Sequence, residues 1–388
     1  MSNAPVYEID PTAFWNDPYP DLKAMRATMP VAYVPQLGAT LITRRDDIFV
    51  NEKIIDVFSS DQPEGLMTQL LGQNLMRKDG QDHMAERKAI FPTVSPKTAK
   101  NVWKQAFEAM TARVLDEIAP QGRADLVRDI ARRISGEAIK IITGLTNMSW
   151  QDMDRVSQGM IDGIANYQGD PAVKANCDDC TAAIEAHIDE MVPVLRQTPD
   201  MSLLSVHLQA GLSRDQYYAN VKLAISGGQN EVRDVIAGLI WAMLTHPEQM
   251  QMVQDKRFSW LDAFEEYSRW ISPVGMSPRR VARRYDLHGV TLEPDDRVFF
   301  MFGSGNRDEA VFDRPEQFDL TQNAAASAAF GAGPHFCAGA WAARCLIADV
   351  AVPMIFERLR GLRLQDEARF GGWAFRGPLA MPVSWDVG

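Results

Sequence analysis

Phe330-Gly331-Ala332-Gly333-Pro334-His335-Phe336-Cys337-Ala338-Gly339 is the stretch on which the reading of this chain turns. Two glycines and a proline ahead of the cysteine make a tight, irregular loop that side chains do not crowd. A helical pattern, about Gly339 to Leu359, starts directly after Cys337. A thiolate at that point faces helix N–H groups and the positive end of the helix dipole, and both favour ionised sulfur. Phe330 and Phe336 flank the cysteine and can keep water away from it. Such a place is suited to present an anionic sulfur to a partner such as iron. The bland alternative, a small buried hydrophobe, is the usual fate of an isolated cysteine. It fits poorly with a cysteine set in this whole pattern.

Upstream, the chain from Pro96 to Leu261 is helical almost throughout. Apolar residues recur at helical spacing in Val102–Ile118, Leu126–Ile142, Ala182–Leu195 and Tyr217–Leu244, the last interrupted by Gly227-Gly228. A further helix covers Trp260 to Ile271 and ends before Pro273. Near the start, Asp21–Thr28 reads as a helix. Val31–Val34 and Thr40–Thr43 read as strands around a Gly-containing turn. Val290–Leu292 and Val298–Phe302 also read as strands, and Trp373–Val387 as a β-hairpin. The fold class is mainly α with a small β-rich lobe. No repeat, linker or low-complexity tract divides the chain, so one domain is expected over its 388 residues.

Composition narrows the function classes. Hydrophobic residues make up 46% and charged residues 23%, enough for a sizeable core. The net charge of -11 argues against a nucleic-acid binder and against attachment to anionic lipid by charge. The apolar run Val235–Leu244 is too short to span a bilayer, so no membrane partner is expected. The N-terminus lacks the basic and apolar regions of a signal peptide, and four cysteines make no disulfide framework. The expectation is a cytoplasmic protein. Cys177-x-x-Cys180 has no second pair to complete a zinc site and no βαβ context for a redox dithiol. Two ordinary helix cysteines are expected there.

The decisive stretch resembles the haem-binding loop of the cytochromes P450, Phe-Gly-x-Gly-x-His-x-Cys-x-Gly, with every fixed position matched. The resemblance covers essentially the whole chain. It implies a single P450 catalytic domain over residues 1–388, β-rich at about 30–60, 285–302 and 373–387 and helical at about 96–272 and 339–359. It implies haem b, buried between the central helix and the cysteine loop, with Cys337 as axial thiolate and metal ligand. Phe330, Gly331 and Gly339 shape that loop. Glu266-x-x-Arg269 resembles a family motif that joins an Arg of a later meander, here Arg314, in a buried structural network. Read alone, the pair is an ordinary solvated helix pair. The resemblance also places His83, Arg87, His335 and Arg280 on the haem propionates as charge-assisted donors. Arg279 competes with Arg280, because this sequence is one residue short between there and Gly289.

The sequence departs from the family at the break in the central helix. Where most members carry an acid followed by an alcohol, this chain has Asn230 and Glu231. As the catalytic pair, Glu231 is expected to relay protons, since a carboxyl in an apolar setting has its pKa raised toward neutrality. The alternative is a Glu231 that faces water and only shapes the kink. Arg233 and Asp234 read as helix-surface or structural residues. A similar amide–acid pair occurs in bacterial aromatic O-demethylases of the guaiacol-using type. Pro30–Gly38, Gly372–Pro378 and Val383-Ser384-Trp385 resemble that subgroup as well. The implied substrate contacts are Phe375, Leu70, Ile164, Gly228 and Val274. Leu70 and Ile164 stand where that group has phenylalanines, so the pocket is expected to be roomier and less aromatic.

The function the resemblance implies is monooxygenation with O2 and electrons from NAD(P)H, as O-demethylation of a small methoxyarene to a phenol plus formaldehyde. Hydroxylation of a terpenoid or other compact apolar substrate, and peroxide-driven peroxygenation, stay open as alternatives. The chain has no flavin or iron–sulfur motif of its own. A separate ferredoxin or flavin/iron–sulfur reductase is therefore expected to dock, with Arg77, Lys78, Arg87 and Lys88 as candidate contacts.

Overall fold

Strand Arg297–Phe300 lies at the centre of a five-stranded sheet, and its alternation explains how that sheet is buried. The order is Val31–Val34, Ala39–Ile42, Arg297–Phe300, Ser277–Val281, Phe58–Ser59. Phe299 packs on one face with Phe14, Leu22 and Leu41, while Val298 and Phe300 pack on the other with Ile42, Phe58 and Val281. Successive side chains of a strand point to opposite faces, so a sheet covered on both sides needs this continuous apolar run. Val31–Val34 and Ala39–Ile42 pair antiparallel around Gly38, whose φ of +59 supplies the left-handed turn.

The computed structural model describes residues 2–166 and 169–387. These fall into two compact units. One comprises Met1–Asp61, Ala237–Cys337 and Asp366–Met381, and contains the sheet. The other comprises Gln62–Ile236, Ala338–Gln365 and Pro382–Gly388 and is mainly helical. Its core joins Met153, Val156 and Met160 of helix Trp150–Ile164 with Ile184 and Ile188 of helix Pro171–Gln197. Val221 and Ile225 of helix Arg214–Ser226 complete it. The first two helices approach closely at glycines. A Cβ at Gly159 would collide with Cys180 Sγ, and one at Gly163 with Cys177 Sγ. Cys177 and Cys180 are buried packing residues, and burial pushes the Cys177 thiol up to about 11.

The long central pattern is broken as the glycines suggest. Helix Arg214–Ser226 ends on Gly227, and a second helix runs Asn230–Thr245. Helix Trp260–Ile271 has the expected bounds and opens with a capping box between Ser259 and Asp262. The last helix runs Ala340–Arg344, widens into a π-helical segment Cys345–Ala351 and closes as Val352–Arg358.

Two expectations need correction. Trp373–Val387 is not a hairpin. Its strands Gly377–Ala380 and Pro382–Ser384 are separated by Met381 alone, shorter than the two-residue loop a hairpin turn commonly uses. The first pairs with Arg369–Gly371 and the second with Arg123–Asp125 and Arg363–Leu364. Val298–Phe302 is shorter as a strand, because Phe302 begins the helical turn Phe302–Gly305. Among the described residues no helix is long and apolar enough to cross a membrane.

Candidate active site

In the first unit the cysteine loop is folded by its own backbone. Cys337 N–H donates to Phe330 O at 2.9 Å, Phe336 N–H to Gly333 O at 3.2 Å, and Gly331 N–H to Ala328 O at 2.9 Å. Gly331 and Gly333 have φ of +72 and +64, left-handed values that strain a residue bearing a Cβ. The rings of Phe330 and Phe336 lie 6.3 Å apart, and Cys337 itself is exposed. His335 ends the short helical turn Gly333–His335 and is half-buried. Further along the chain, Gly339 O accepts the Ala343 N–H at 2.9 Å.

This donor set suits haem. Among the described residues no three His, Cys, Asp or Glu side chains gather to hold a metal ion. One accessible thiol on a pre-shaped loop fits a metal that arrives with most of its ligands in the cofactor.

Glu266 and Arg269 are 1% and 0% exposed, and they meet through two bonds of 2.7 Å, Nε to Oε2 and Nη2 to Oε1. Arg269 also donates to the carbonyls of Asn306, Pro315 and Gln317 at 2.9, 2.9 and 2.7 Å. Glu266 Oε1 accepts the Asp319 N–H at 2.9 Å. Arg314 is not seated on this pair. Its side chain is 51% exposed and meets Asp319 Oδ2 at 2.6 Å and Thr321 Oγ1 at 2.9 Å. The meander enters the network through its main chain, because its N–H and C=O groups already occupy the pair.

The two candidate arginines on strand Ser277–Val281 point opposite ways, as neighbours on a strand do. Arg280 faces Asp295 at 3.1 Å and Asp61 O at 3.0 Å, beside an exposed carboxylate. Arg279 is 3% exposed and meets Glu52 Oε1 at 3.1 Å. Glu52 in turn accepts the N–H of Ala332, so Arg279 rather than Arg280 is linked to the cysteine loop. Val274 and Phe375 form an isolated antiparallel bridge, so the chain brings these two substrate candidates together.

In the second unit, helix Gly80–Val94 carries a buried His83 and a half-buried Arg87 one turn later. Between them Glu86 accepts from Lys78 and, at 2.8 Å each, from Gln216 and Asn220. Burial alone would raise its pKa, but these donors hold it below the usual carboxylate value. The expected docking cations are depleted accordingly. Arg77 is buried and Lys78 is committed to Glu86, which leaves Lys88 as the exposed one of the four. Lys88 shares an outward face with Met84 and Phe91, both exposed.

Glu231 sits in the first turn of helix Asn230–Thr245. It keeps some exposed surface, yet its Oε2 atom is covered and has no hydrogen-bond partner among the described residues. Burial pushes its carboxyl up to about 7; its own N–H opposes this, Asp234 adds to it and Arg233 opposes it. Asn230 is buried and tied to helix Trp150–Ile164, with Ser157 Oγ at 3.3 Å and Gln158 Oε1 at 3.2 Å. Of the two readings of Asp234, surface or structural, the second holds: it is buried and takes Arg233 Nε at 2.7 Å. Gly228 has no room for a side chain, since its Cβ would lie 2.6 Å from Ala224 O and 2.9 Å from Ile139 Cδ1. Leu70 and Ile164 pack against the same apolar core cluster.

Sequence reasoning passed over Glu52. No motif marks Asn51-Glu52-Lys53, and the groups that meet Glu52, Ala332 and Arg279, return from far along the chain.

Comparison with known proteins agrees with this architecture. The family model for Cytochrome P450 matches residues 259–359. The chain is 24% identical to pulcherriminic acid synthase of Bacillus subtilis (strain 168), over 96% of each protein. It is 27% identical to vitamin D(3) 25-hydroxylase of Pseudonocardia autotrophica, over 88% of this chain and 86% of that one. In three dimensions it resembles P450BioI in complex with an acyl carrier protein ligated to hexadec-9Z-enoic acid. The TM-score is 0.88 at 22% identity, covering 96% of this chain and 100% of that one.

Proposed function

The chain belongs to the cytochrome P450 family, whose members are haem-thiolate monooxygenases, and on that premise we propose that it O-demethylates a small methoxyarene. Haem, when bound, supplies the oxygen chemistry, in which one atom of O2 enters the substrate and the other leaves as water with electrons drawn from NAD(P)H. Cys337 would hold the iron through its thiolate. His83, Arg87, His335 and an arginine of strand Ser277–Val281, Arg279 by its link to the loop, would hold the propionates. Hydroxylation at the methyl carbon gives a hemiacetal that collapses to a phenol and formaldehyde.

The observation that carries the reading is the Asn230–Glu231 pair. Asn230 is held by Ser157 and Gln158 and fixes the start of the helix. Glu231 has a covered oxygen and a pKa of about 7, so it can take and give a proton near neutrality. Phe375 and Val274, bridged by their backbones, are the substrate contacts from the first unit. An acidic ferredoxin or flavin/iron–sulfur reductase fits the Met84–Lys88–Phe91 face of helix Gly80–Val94, where an apolar surface carries a cation.

A second reading has its own support. Leu70 and Ile164 are aliphatic and half-buried against an apolar cluster, which suits a compact terpenoid-like substrate. A Soret titration of the ferric enzyme with guaiacol-like compounds, methoxybenzoates and terpenoids separates the two. A shift from low to high spin with the methoxyarenes, and formaldehyde on turnover, is the expected result. A shift with terpenoids alone, and an alcohol without formaldehyde, replaces O-demethylation by hydroxylation.

A further inference from the structure

Helix Arg45–Asn51 ends beneath the cysteine loop. Glu52, the next residue, is 2% exposed and joins two distant parts of the chain. Its Oε2 accepts the Ala332 N–H at 2.7 Å, and its Oε1 accepts Arg279 Nη2 at 3.1 Å. The loop is pressed against this end of the helix. A Cβ at Gly333 would lie 2.9 Å from Lys53 Cγ and 3.4 Å from Glu52 O, and one at Gly331 would lie 3.5 Å from Glu52 Oε2. Arg279 is held in turn by Ser277 Oγ at 2.5 Å and Pro278 O at 2.9 Å, and its guanidinium lies 5.7 Å from the Phe300 ring.

A covered carboxylate is costly, and burial pushes this one up while Arg279, the Ala332 N–H and Lys53 oppose that shift. An apolar side chain would fill the space without that cost. What the carboxylate adds is direction. Ala332 stands between two left-handed glycines, whose backbones have the widest conformational freedom, and a charge-assisted bond fixes its N–H.

We propose that Glu52 is a positioning residue whose carboxylate clamps the Ala332 N–H, holds the loop that presents Cys337, and offsets the charge of Arg279 beside it. The proposal rests on Cys337 as the axial ligand. Glu52 touches neither substrate nor metal and acts through the loop and through its charge. A group that fixes the segment carrying a metal ligand orients that ligand without touching it.

The test uses full-length, haem-loaded wild type, Glu52→Gln, Glu52→Ala and Cys337→Ala. The ferrous carbonyl complex reports thiolate ligation by its long-wavelength Soret band, and its decay into the short-wavelength form reports thiolate loss. Glu52→Ala removes the acceptor, and its band should decay about 10-fold faster than wild type. Glu52→Gln keeps an oxygen for the Ala332 N–H and should hold the band. Its ferric/ferrous midpoint potential should be more positive, because a buried negative charge is gone from beside the loop. A purely structural Glu52 would leave that potential where it is. An unchanged potential in Glu52→Gln, or wild-type decay in Glu52→Ala, overturns the proposal. A wild type without the thiolate band, or a Cys337→Ala that keeps it, overturns the ligand assignment itself and the proposal with it.

Discussion

Glu266, midway along helix Trp260–Ile271, and Glu231, in the first turn of helix Asn230–Thr245, both carry covered carboxyl oxygens, and they are treated in opposite ways. Burial pushes the pKa of each upward. Glu266 is repaid by Arg269, through two bonds of 2.7 Å, and by the Asp319 N–H. Its partner also fixes three meander carbonyls, so the pair acts as a rivet. Glu231 has one covered oxygen with no partner among the described residues, and nearby Arg233 bonds to Asp234 instead. A carboxyl met by donors on both oxygens is held in place by them. One left partly unsatisfied can change protonation near neutral pH. Burial alone does not separate a structural acid from a functional one; the count of its donors does.

The contrast can be broken most severely at the rivet. Arg269→Ala leaves Glu266 buried and unpaired and frees three carbonyls, and it should cost about 3–5 kcal/mol in urea denaturation. If it costs under about 1 kcal/mol, Glu266 is no better satisfied than Glu231. Next comes Glu231→Gln, which cannot carry a proton. Product formation should fall about 100-fold while NAD(P)H consumption continues, a loss of coupling rather than of folding. Unchanged coupling would remove Glu231 as the relay. A Glu231→Thr variant, which restores an alcohol, should recover part of the coupling.

The pH dependence sharpens the same point. The folded-state pKa of Glu231 is about 7 against an ordinary value of 4.5. Between those values the folded protein holds the proton more tightly than the unfolded chain, so stability falls as pH rises through that window. Wild type should lose stability relative to Glu231→Gln as pH rises from about 4.5 to about 7, with no further relative loss above. Gly228→Ala tests the frame around Glu231. The added methyl meets Ala224 O and Ile139, and about 1–3 kcal/mol should be lost. The smallest effect is expected at Arg314→Ala. Its guanidinium is half-exposed where it meets the buried Asp319, so solvent screens the pair, which contributes about 1 kcal/mol, and melting should move little.

Much of this was legible in order of locality. The cysteine loop, the helix break at Gly227-Gly228, the bounds of helix Trp260–Ile271 and the first strand pair are written in adjacent residues. Pro, Gly and apolar spacing act on the backbone directly there. Glu266 and Arg269 were legible as a pair because i and i+3 share a helix face. Their partners were not, since the meander offers carbonyls and every residue has one. The misread hairpin has the same origin. Alternation from Trp373 to Val387 is real, but alternation says that a segment is a strand and not which strand it meets.

By itself the sequence determined the fold class, the cysteine loop with its left-handed glycines and the break in the central helix. Each depends on the identity of a few residues close together. Only the tertiary structure decided which acids are buried. It placed Asp234 and Glu52 out of water, turned Arg279 rather than Arg280 toward the cysteine loop, and sent Arg314 to the surface. Desolvation and ion pairing depend on what returns from distant parts of the chain. Ala332 and Glu52 are 280 positions apart, and no local pattern records that they meet.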